Sequence, residues 1–197
     1  MRTILFVACL MLSPLAARAD AAAVPQNAAE ASTFAVNPKD SSVTYRLVHK
    51  LHKFDGVSKQ VEGRARIGPD GKVQVMVRVP VESFDSRNAN RDAHMKEVVE
   101  AARFPSVELK AVGQVAMPTS YPAKLEGSFE AELSFHGVKK RLPLPVQLTF
   151  KSATDIVASV GFSFSLTEMK IERPSLMFVK IDDMAQIQAE VWFTRPM

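Results

Sequence analysis

The feature that most constrains this chain is an alternation of apolar and polar residues that returns in run after run from residue 43 onward. A period of two places successive side chains on opposite faces of a strand, so each run has one buried face and one wet face. Six runs are clear and two are weaker: 43–51, 73–81, 129–135, 142–150, 156–164 and 187–193, with 57–67 and 107–114. The chain is therefore predicted to be all-β.

Short turn signals separate several neighbouring runs, as at residues 69–71 and 136–137. Such close spacing favours antiparallel pairing between strands that follow one another along the chain. Eight strands with one buried face each predict a closed eight-stranded antiparallel barrel, with a two-layer sandwich as the alternative. Pro143 and Pro145 have no N–H to donate, so any gap in the barrel wall is expected beside them.

One stretch between two strand runs has the period of a helix instead. An apolar spacing of i, i+3, i+4 and i+7 is formed by Met95, Val98, Val99 and Ala102. Asn88 or Asn90 could cap the start of this helix, and Phe104-Pro105 ends it. A helix between strands needs a surface for its apolar face, and a barrel offers that surface at its open end. The insert is therefore predicted to cap one end of the barrel.

The N-terminus has the pattern of a secretory signal peptide over residues 1–19, with a basic start, an apolar run and an A-x-A cleavage site. The run is too short to span a bilayer, and no later stretch is long enough, so no integral membrane span is expected. Residues 20–32 are predicted to be a flexible leader, and 33–197 a single domain. Cys9, the one cysteine, lies in the signal, which excludes disulfides and thiolate chemistry from the mature chain.

Charge and motif patterns argue against several classes of function. Without the two arginines of the signal peptide the net charge of +4 falls to +2, and basic residues are spread along the chain, so no nucleic-acid partner is expected. His49 and His52 are three apart in a predicted strand, where they would point to opposite faces, so no metal site is predicted. The sequence has no Gly-rich phosphate loop, and no cofactor is expected.

Arg91, Asp92 and His94 form the one cluster in the insert that could carry acid–base chemistry. A histidine beside a carboxylate can act as a general base. Residues two apart on a helix do not face each other, however, and the sequence has no G-x-S-x-G motif. We therefore interpret the cluster as a charge-paired anchor of the insert on the barrel rim, and we expect no catalytic residue and no enzymatic activity.

The inward face of the predicted barrel combines large and small side chains. An eight-stranded barrel either fills its interior with its own side chains or holds one small ligand, and the pattern leaves both outcomes open. The large inward residues include Tyr45, Leu47, Leu133 and Phe162, and the small ones Gly63, Ala65, Ala111, Ala131 and Ala158.

Two segments resemble the signatures of the YceI-like family of exported, lipocalin-like proteins. "VPVESFDSRNANRDAHM" at 79–95, followed by "FPSVELKA" at 104–111, resembles one signature, and "LEGSFEAELSFHGVKKRLPLPV" at 125–146 resembles the other. The resemblance covers residues 34–194, nearly the whole mature chain. It implies an eight-stranded lipocalin-like barrel, and some members of the family hold polyisoprenoid or related amphiphilic chains inside it.

The resemblance implies a periplasmic protein that holds a long-chain amphiphile of polyisoprenoid type in its barrel, for carriage or protection. The alternative is a non-enzymatic stress-response or interaction module with a self-filled barrel. An exposed edge near Pro143 leaves a homodimer open. The candidate ligand-binding residues are Tyr45, Leu47, Val77, Leu133, Phe162 and Phe178 on the wall, with Arg91 and His94 orienting the insert or meeting an anionic head group at the mouth.

Overall fold

The computed structural model describes residues 31–50, 52–176 and 179–196, which form an antiparallel barrel with a helical insert. The strands are β1 (Ser32–Val36), β2 (Ser42–His49), β3 (His52–Ser58), β4 (Glu62–Ile67), β5 (Lys72–Pro80), β6 (Ser106–Gln114), β7 (Ala123–Phe135), β8 (Val138–Phe150), β9 (Asp155–Ser165), β10 (Ser175–Leu176), β11 (Val179–Lys180) and β12 (Met184–Thr194). The insert contains a 3-10 helix (Val81–Ser83) and α1 (Ala89–Val98). The predicted signal peptide, most of the predicted leader, and Phe178 lie outside the described residues.

The described strands fill eight positions around the barrel, and most strands that are adjacent in the barrel also follow one another along the chain. β1 and β2 are two halves of one bent strand, because both pair with β12. β3 and β4 are likewise two halves, pairing with β2 and β1. β5 to β9 follow in chain order, β12 pairs with β9, and the pairing of Ala35 with Thr194 closes the ring. The predicted eight-stranded antiparallel barrel is confirmed, and the sandwich alternative is wrong.

A buried serine stabilises the bend between β1 and β2. Val36 of the bent strand pairs with Phe193 of β12, and Ser42 pairs with Glu190. From the first pair to the second, the bent strand advances by twice as many residues as β12, so it forms a bulge. Ser41 lies in this bulge, 2% exposed. Its hydroxyl donates to the carbonyl oxygen of Asn37 at 2.7 Å and accepts from the backbone N–H of Trp192 at 3.0 Å. The side chain thus satisfies a backbone donor of β12 that the bulge leaves without a strand partner.

The predicted run 57–67 is divided in the structure between the end of β3 and the whole of β4. Residues 59–61 form the bend between the two halves. The Ser58 hydroxyl accepts from the backbone N–H of Gln60 at 3.1 Å, a local bond that turns the chain. Val61 is then buried at 1% exposure, so the bend itself contributes to the core.

Besides the first five residues of β3, β1 is a barrel segment that the alternation did not predict. Its sequence, "STFAV", is only five residues long and has one fully buried side chain, Phe34. β1 pairs with β4 on one side and β12 on the other. Closure of the barrel therefore depends on a strand that starts at Ser32, within the stretch predicted to be leader.

The buried side chains form two clusters. The first fills the barrel interior and includes Phe34, Phe150 and Phe193. The second lies at the end where the insert is attached, and it joins Val99 of the insert to Met169 of the connection that follows β9. The insert thus packs its apolar residues on this end of the barrel, and the predicted cap is confirmed.

The helix begins as predicted and ends sooner than the apolar spacing indicated. The Asn88 side chain accepts from the backbone N–H of Arg91 at 3.0 Å, which confirms one of the two proposed caps. α1 ends at Val98, and Glu100 has a positive φ of 48°. This left-handed residue changes the direction of the chain, so that Ala101 is buried and Ala102, expected on the apolar face, is exposed.

The barrel wall has a split beside the two prolines of β8. β8 pairs with β7 along its full length. In the described part of the chain its ladder with β9 covers only the second half of β8, ending at the pair Val146 and Val160. Pro143 and Pro145 lie just beyond this point, where they offer no donor to extend the ladder. The gap predicted beside these prolines is confirmed, and the homodimer suggested by the exposed edge stays a prediction.

Candidate functional site

An apolar cavity of about 190 Å³ lies inside the barrel. Side chains from all eight positions of the wall line it, and Phe84, Met95 and Val99 of the insert close one end. An apolar cavity of about 150 Å³ stays dry and accommodates a benzene molecule. The cavity therefore suits a small apolar group or a short segment of a hydrocarbon chain.

The cavity exists because small side chains occur among the inward-facing residues. Ala65, Ala111, Ala158, Ala185 and Ala189 all line it. Large residues on the same wall do not reach far enough to fill the space opposite these alanines. The barrel interior is thus not filled completely by its own side chains.

Five of the predicted ligand-binding residues lie on the wall of this cavity. They are Tyr45, Leu47, Val77, Leu133 and Phe162. The alternation was sufficient to find them because inward orientation follows from the period of two. Their contact with a ligand stays a prediction, and Phe178 lies outside the described residues.

Arg91 and Asp92 are bound to the loop that precedes α1. Arg91 donates to Ser86 twice, from Nε to Oγ at 2.8 Å and from Nη2 to the carbonyl oxygen at 2.6 Å. Asp92 accepts from the backbone N–H of Ser86 at 3.1 Å. The Arg91 guanidinium also lies 5.1 Å from the centroid of the Phe54 ring on β3. The bonds with Ser86 brace the insert internally, and the cation–π contact with Phe54 attaches it to the barrel rim.

His94 lies on the outer side of α1, with its side chain 60% exposed and its Nδ1 3.8 Å from a carboxylate oxygen of Glu97. The structure therefore does not bring His94 together with Arg91 or with the cavity wall. To predict that His94 is exposed, one needs the orientation of α1 on the barrel, which residue spacing alone does not provide.

Among the described residues that line the cavity, Tyr45 is the one with a polar group at the end of its side chain. Its ring lies over Gly56, its direct partner on β3, and meets Phe84 edge-on with 5.3 Å between ring centroids. A side chain at Gly56 would collide with the ring. Burial raises the pKa of Tyr45 to about 12, with a smaller contribution from the negative charge of Asp92. The phenol is therefore a neutral hydrogen-bond donor at physiological pH.

We expect Tyr45 to lose its proton near pH 12 in the folded protein. Tyr45 and Tyr121 are the two tyrosines of the chain, so Tyr121→Phe leaves a single phenol whose ultraviolet absorbance can be titrated. Because the pKa is raised on folding, its contribution to stability is complete below the ordinary value of 10.0 and is lost as the pH rises towards 12. Ionisation of the folded Tyr121→Phe protein near pH 10 would contradict the buried position.

The two histidines of the H-x-x-H sequence are cross-strand partners. A turn lies between His49 at the end of β2 and His52 at the start of β3, so the prediction that they point to opposite faces is wrong. His49 is buried and its Nε2 donates to the carbonyl oxygen of Val179 at 3.1 Å, whereas His52 is exposed. Within the described residues no group of three or more metal-ligating side chains comes together.

Among the described residues, no helix has both the length and the apolar character that crossing a membrane requires.

Comparison with known proteins gives both a family and structural neighbours. The model of the YceI-like domain matches residues 34–193. A polyisoprenoid binding domain from Saccharophagus degradans, implicated in plant cell wall breakdown, is similar with a TM-score of 0.70 and 15% identity, covering 83% of this chain and 98% of that one. Burkholderia cenocepacia BcnA is similar with a TM-score of 0.64 and 13% identity, covering 80% and 98%.

The YceI protein of Campylobacter jejuni is also similar, with a TM-score of 0.59 and 15% identity, covering 76% of this chain and 90% of that one. No match is found among curated proteins. At such low identities the structural likeness supports the fold alone. The family model covers most of the chain, and its two resembling segments contribute the insert and the β7–β8 wall of the observed barrel. The chain therefore belongs to the family of YceI-like domains.

Proposed function

We propose that this chain is an exported, periplasmic lipid-binding protein that holds the apolar tail of a long-chain amphiphile, of polyisoprenoid type, inside its barrel. The observation that carries the proposal is the apolar cavity enclosed by the eight-stranded wall. Family membership supports it, as does the likeness to a domain described as polyisoprenoid binding. The role is binding for carriage or protection, without catalysis.

The energetics favour a tail over a compact polar ligand. Each methylene group moved from water into an apolar site contributes about 0.8 kcal/mol, so a segment of about five contributes about 4 kcal/mol. Part of this free energy is lost in ordering the flexible chain. The cavity of about 190 Å³ encloses only a short part of a polyisoprenoid, so a longer tail requires the wall to move.

The polar side chains that a head group could meet lie near the insert. The Tyr45 phenol can donate a hydrogen bond, and the neighbouring Arg91 carries a positive charge that suits an anionic head. Arg91 already uses two of its donor nitrogens on Ser86, so its role includes holding the insert in place. His94 would meet only a head group that extends over the exposed side of α1.

Solvent extraction of the gently purified protein, followed by lipid mass spectrometry, tests the proposal. We expect about one equivalent of an amphiphilic lipid per chain, because one continuous cavity is available. Protein purified without lipid should also take up a pyrene-labelled fatty acid from phosphatidylcholine vesicles. If nothing is extracted in stoichiometric amount and no probe is taken up, the interaction module with a self-filled barrel becomes the better description.

A further inference from the structure

The split between β8 and β9 is covered by a short segment that immediately follows β9. Residues 166–171, called the strap below, turn back across the split towards β8. Met169 of the strap is completely buried, at 0% exposure, in the cluster that also contains Leu133 and Phe164. Where a strand ladder would otherwise seal the wall, side chains of the strap occupy the space.

The strap also forms part of the cavity wall. Leu166 and Ile171 line the cavity together with Phe162 and Phe164 of β9. Moving the strap outward would therefore open the cavity sideways, without breaking any strand pairing. Pro143 and Pro145 prevent the ladder from extending through the split, because they have no N–H groups to donate.

The strap is held firmly on the side of β9 and β12. The backbone N–H of Leu166 donates to the carbonyl oxygen of Asp183 at 2.8 Å. The Asp183 carboxylate accepts from the hydroxyls of Ser165 and Thr167 at 2.5 and 2.6 Å. These hydrogen bonds hold the pKa of Asp183 at about 2, so this attachment stays ionised at physiological pH. This end of the strap behaves as a fixed hinge.

The attachment to the other side of the split is weaker. The polar contacts there, among the described residues, are an ion pair between Lys140 of β8 and Glu168, and a bond from Nδ1 of His136 to the carbonyl oxygen of Met169 at 3.1 Å. The side chains of Lys140 and Glu168 are 34% and 58% exposed. Solvent-exposed ion pairs contribute little to stability, so this ion pair breaks at low cost, and the main cost of moving the strap is the exposure of Met169.

The insert is attached to the rim by stronger contacts. Two backbone hydrogen bonds join Val57 of β3 to Asp85, at 2.9 and 3.0 Å. The backbone N–H of Val81 donates to the carbonyl oxygen of Pro105 at 2.9 Å, which ties the two ends of the insert together. The contact of the Arg91 guanidinium with the Phe54 ring on β3 adds to these. The insert is thus joined to the barrel wall by backbone hydrogen bonds, whereas the polar contacts described between the strap and the β8 side all involve side chains.

We propose that the lipid tail enters and leaves the barrel sideways, between β8 and β9, as the strap swings away from β8 while the insert stays closed. The inference rests on the proposed lipid-binding function and adds the route by which the cavity is filled. It also explains how a cavity of limited volume admits a longer tail, since the displaced strap leaves room for the remainder beside β8.

Cross-linking the strap to β8 tests the route. The predicted mature chain has no cysteine, so Lys140→Cys with Glu168→Cys introduces a single pair that a short bis-maleimide can join. We expect the cross-link to slow uptake and release of the pyrene-labelled fatty acid by about tenfold or more, because the hinge can no longer open. Before cross-linking, the double variant should bind the probe and unfold at the same denaturant concentration as the parent.

A matched control joins two residues within the insert. Glu82 and Lys96 form an ion pair at 2.7 Å, so Glu82→Cys with Lys96→Cys can be cross-linked in the same way. This cross-link should leave the exchange rates unchanged. The single variant Glu168→Gln removes the ion pair between the strap and Lys140 of β8. It should speed uptake of the probe by up to about fivefold.

The outcomes separate the route from the function. If the uncross-linked proteins bind the probe but the strap cross-link leaves its exchange unchanged, the sideways route is wrong and lipid binding stands. If the insert cross-link slows exchange instead, the movement that admits the tail lies in the insert and the sideways route is wrong. If no protein, cross-linked or free, binds the probe or yields lipid on extraction, the proposed function fails and the route fails with it.

Discussion

Replacing Ala158 by phenylalanine should remove most of the affinity for lipid while the barrel stays folded. Ala158 lies on β9 and lines the cavity. A phenyl ring at this position would occupy space that the tail needs. If it displaces about three methylene groups, the loss is about 2.4 kcal/mol, which corresponds to a roughly fiftyfold weaker Kd. Titration with the pyrene-labelled fatty acid measures this change directly.

Stability should respond much less than affinity to the same change. The ring enters existing free volume, so the free energy of unfolding should fall by less than the roughly 1–3 kcal/mol that overpacking costs in a filled core. Ser159→Phe is the matched control, because the next residue of the strand faces outward and its ring stays outside the barrel. A folded Ala158→Phe protein that binds the probe as tightly as the parent would show that the tail lies elsewhere.

Replacing Phe34 by alanine should lower the free energy of unfolding by about 3–5 kcal/mol, the usual cost of truncating a buried phenylalanine. Phe34 is 1% exposed and is the fully buried side chain of β1. β1 closes the ring between β4 and β12, so a loss of packing here weakens the seam of the barrel as well as its core. Domains of this size are marginally stable, and this loss is a large fraction of a typical total of about 5–15 kcal/mol.

Denaturant unfolding can be followed through Trp192, the single tryptophan of the chain, which lies on β12 beside the seam. Phe54→Ala provides a comparison of the same chemistry at a half-buried position on β3, and we expect a smaller loss there. If Phe34→Ala costs less than about 1 kcal/mol, β1 does not contribute to the core in the way its burial indicates.

Local physics explains which features could be predicted from the residues. The alternation found the barrel strands other than β1 and the first part of β3, because side-chain direction in a strand depends only on position along it. The split beside Pro143 and Pro145 was predictable because a missing N–H is a property of the residue itself. The cap at Asn88 was also predictable, because its side chain accepts a hydrogen bond from a backbone N–H only three residues away.

The errors in the insert and the β2–β3 hairpin have a common cause. The alternation predicts opposite faces for His49 and His52 because it does not include the turn between them. The helical spacing predicts a buried Ala102 because it does not include the change of chain direction at Glu100. In both cases a residue with a positive φ, Lys50 or Glu100, turns the chain out of the regular conformation.

Residue pattern by itself determined the number of barrel strands, the inward-facing residues and the place where the wall separates, because each follows from short-range geometry. The tertiary structure decided the rest. β1 is a strand because β12, far away in sequence, supplies its partner. The cavity exists because the summed volume of facing side chains falls short of the interior they enclose, and the strap covers the split because Met169 packs in a cluster with Leu133 of β7. These properties depend on distances between remote residues, which no local period contains.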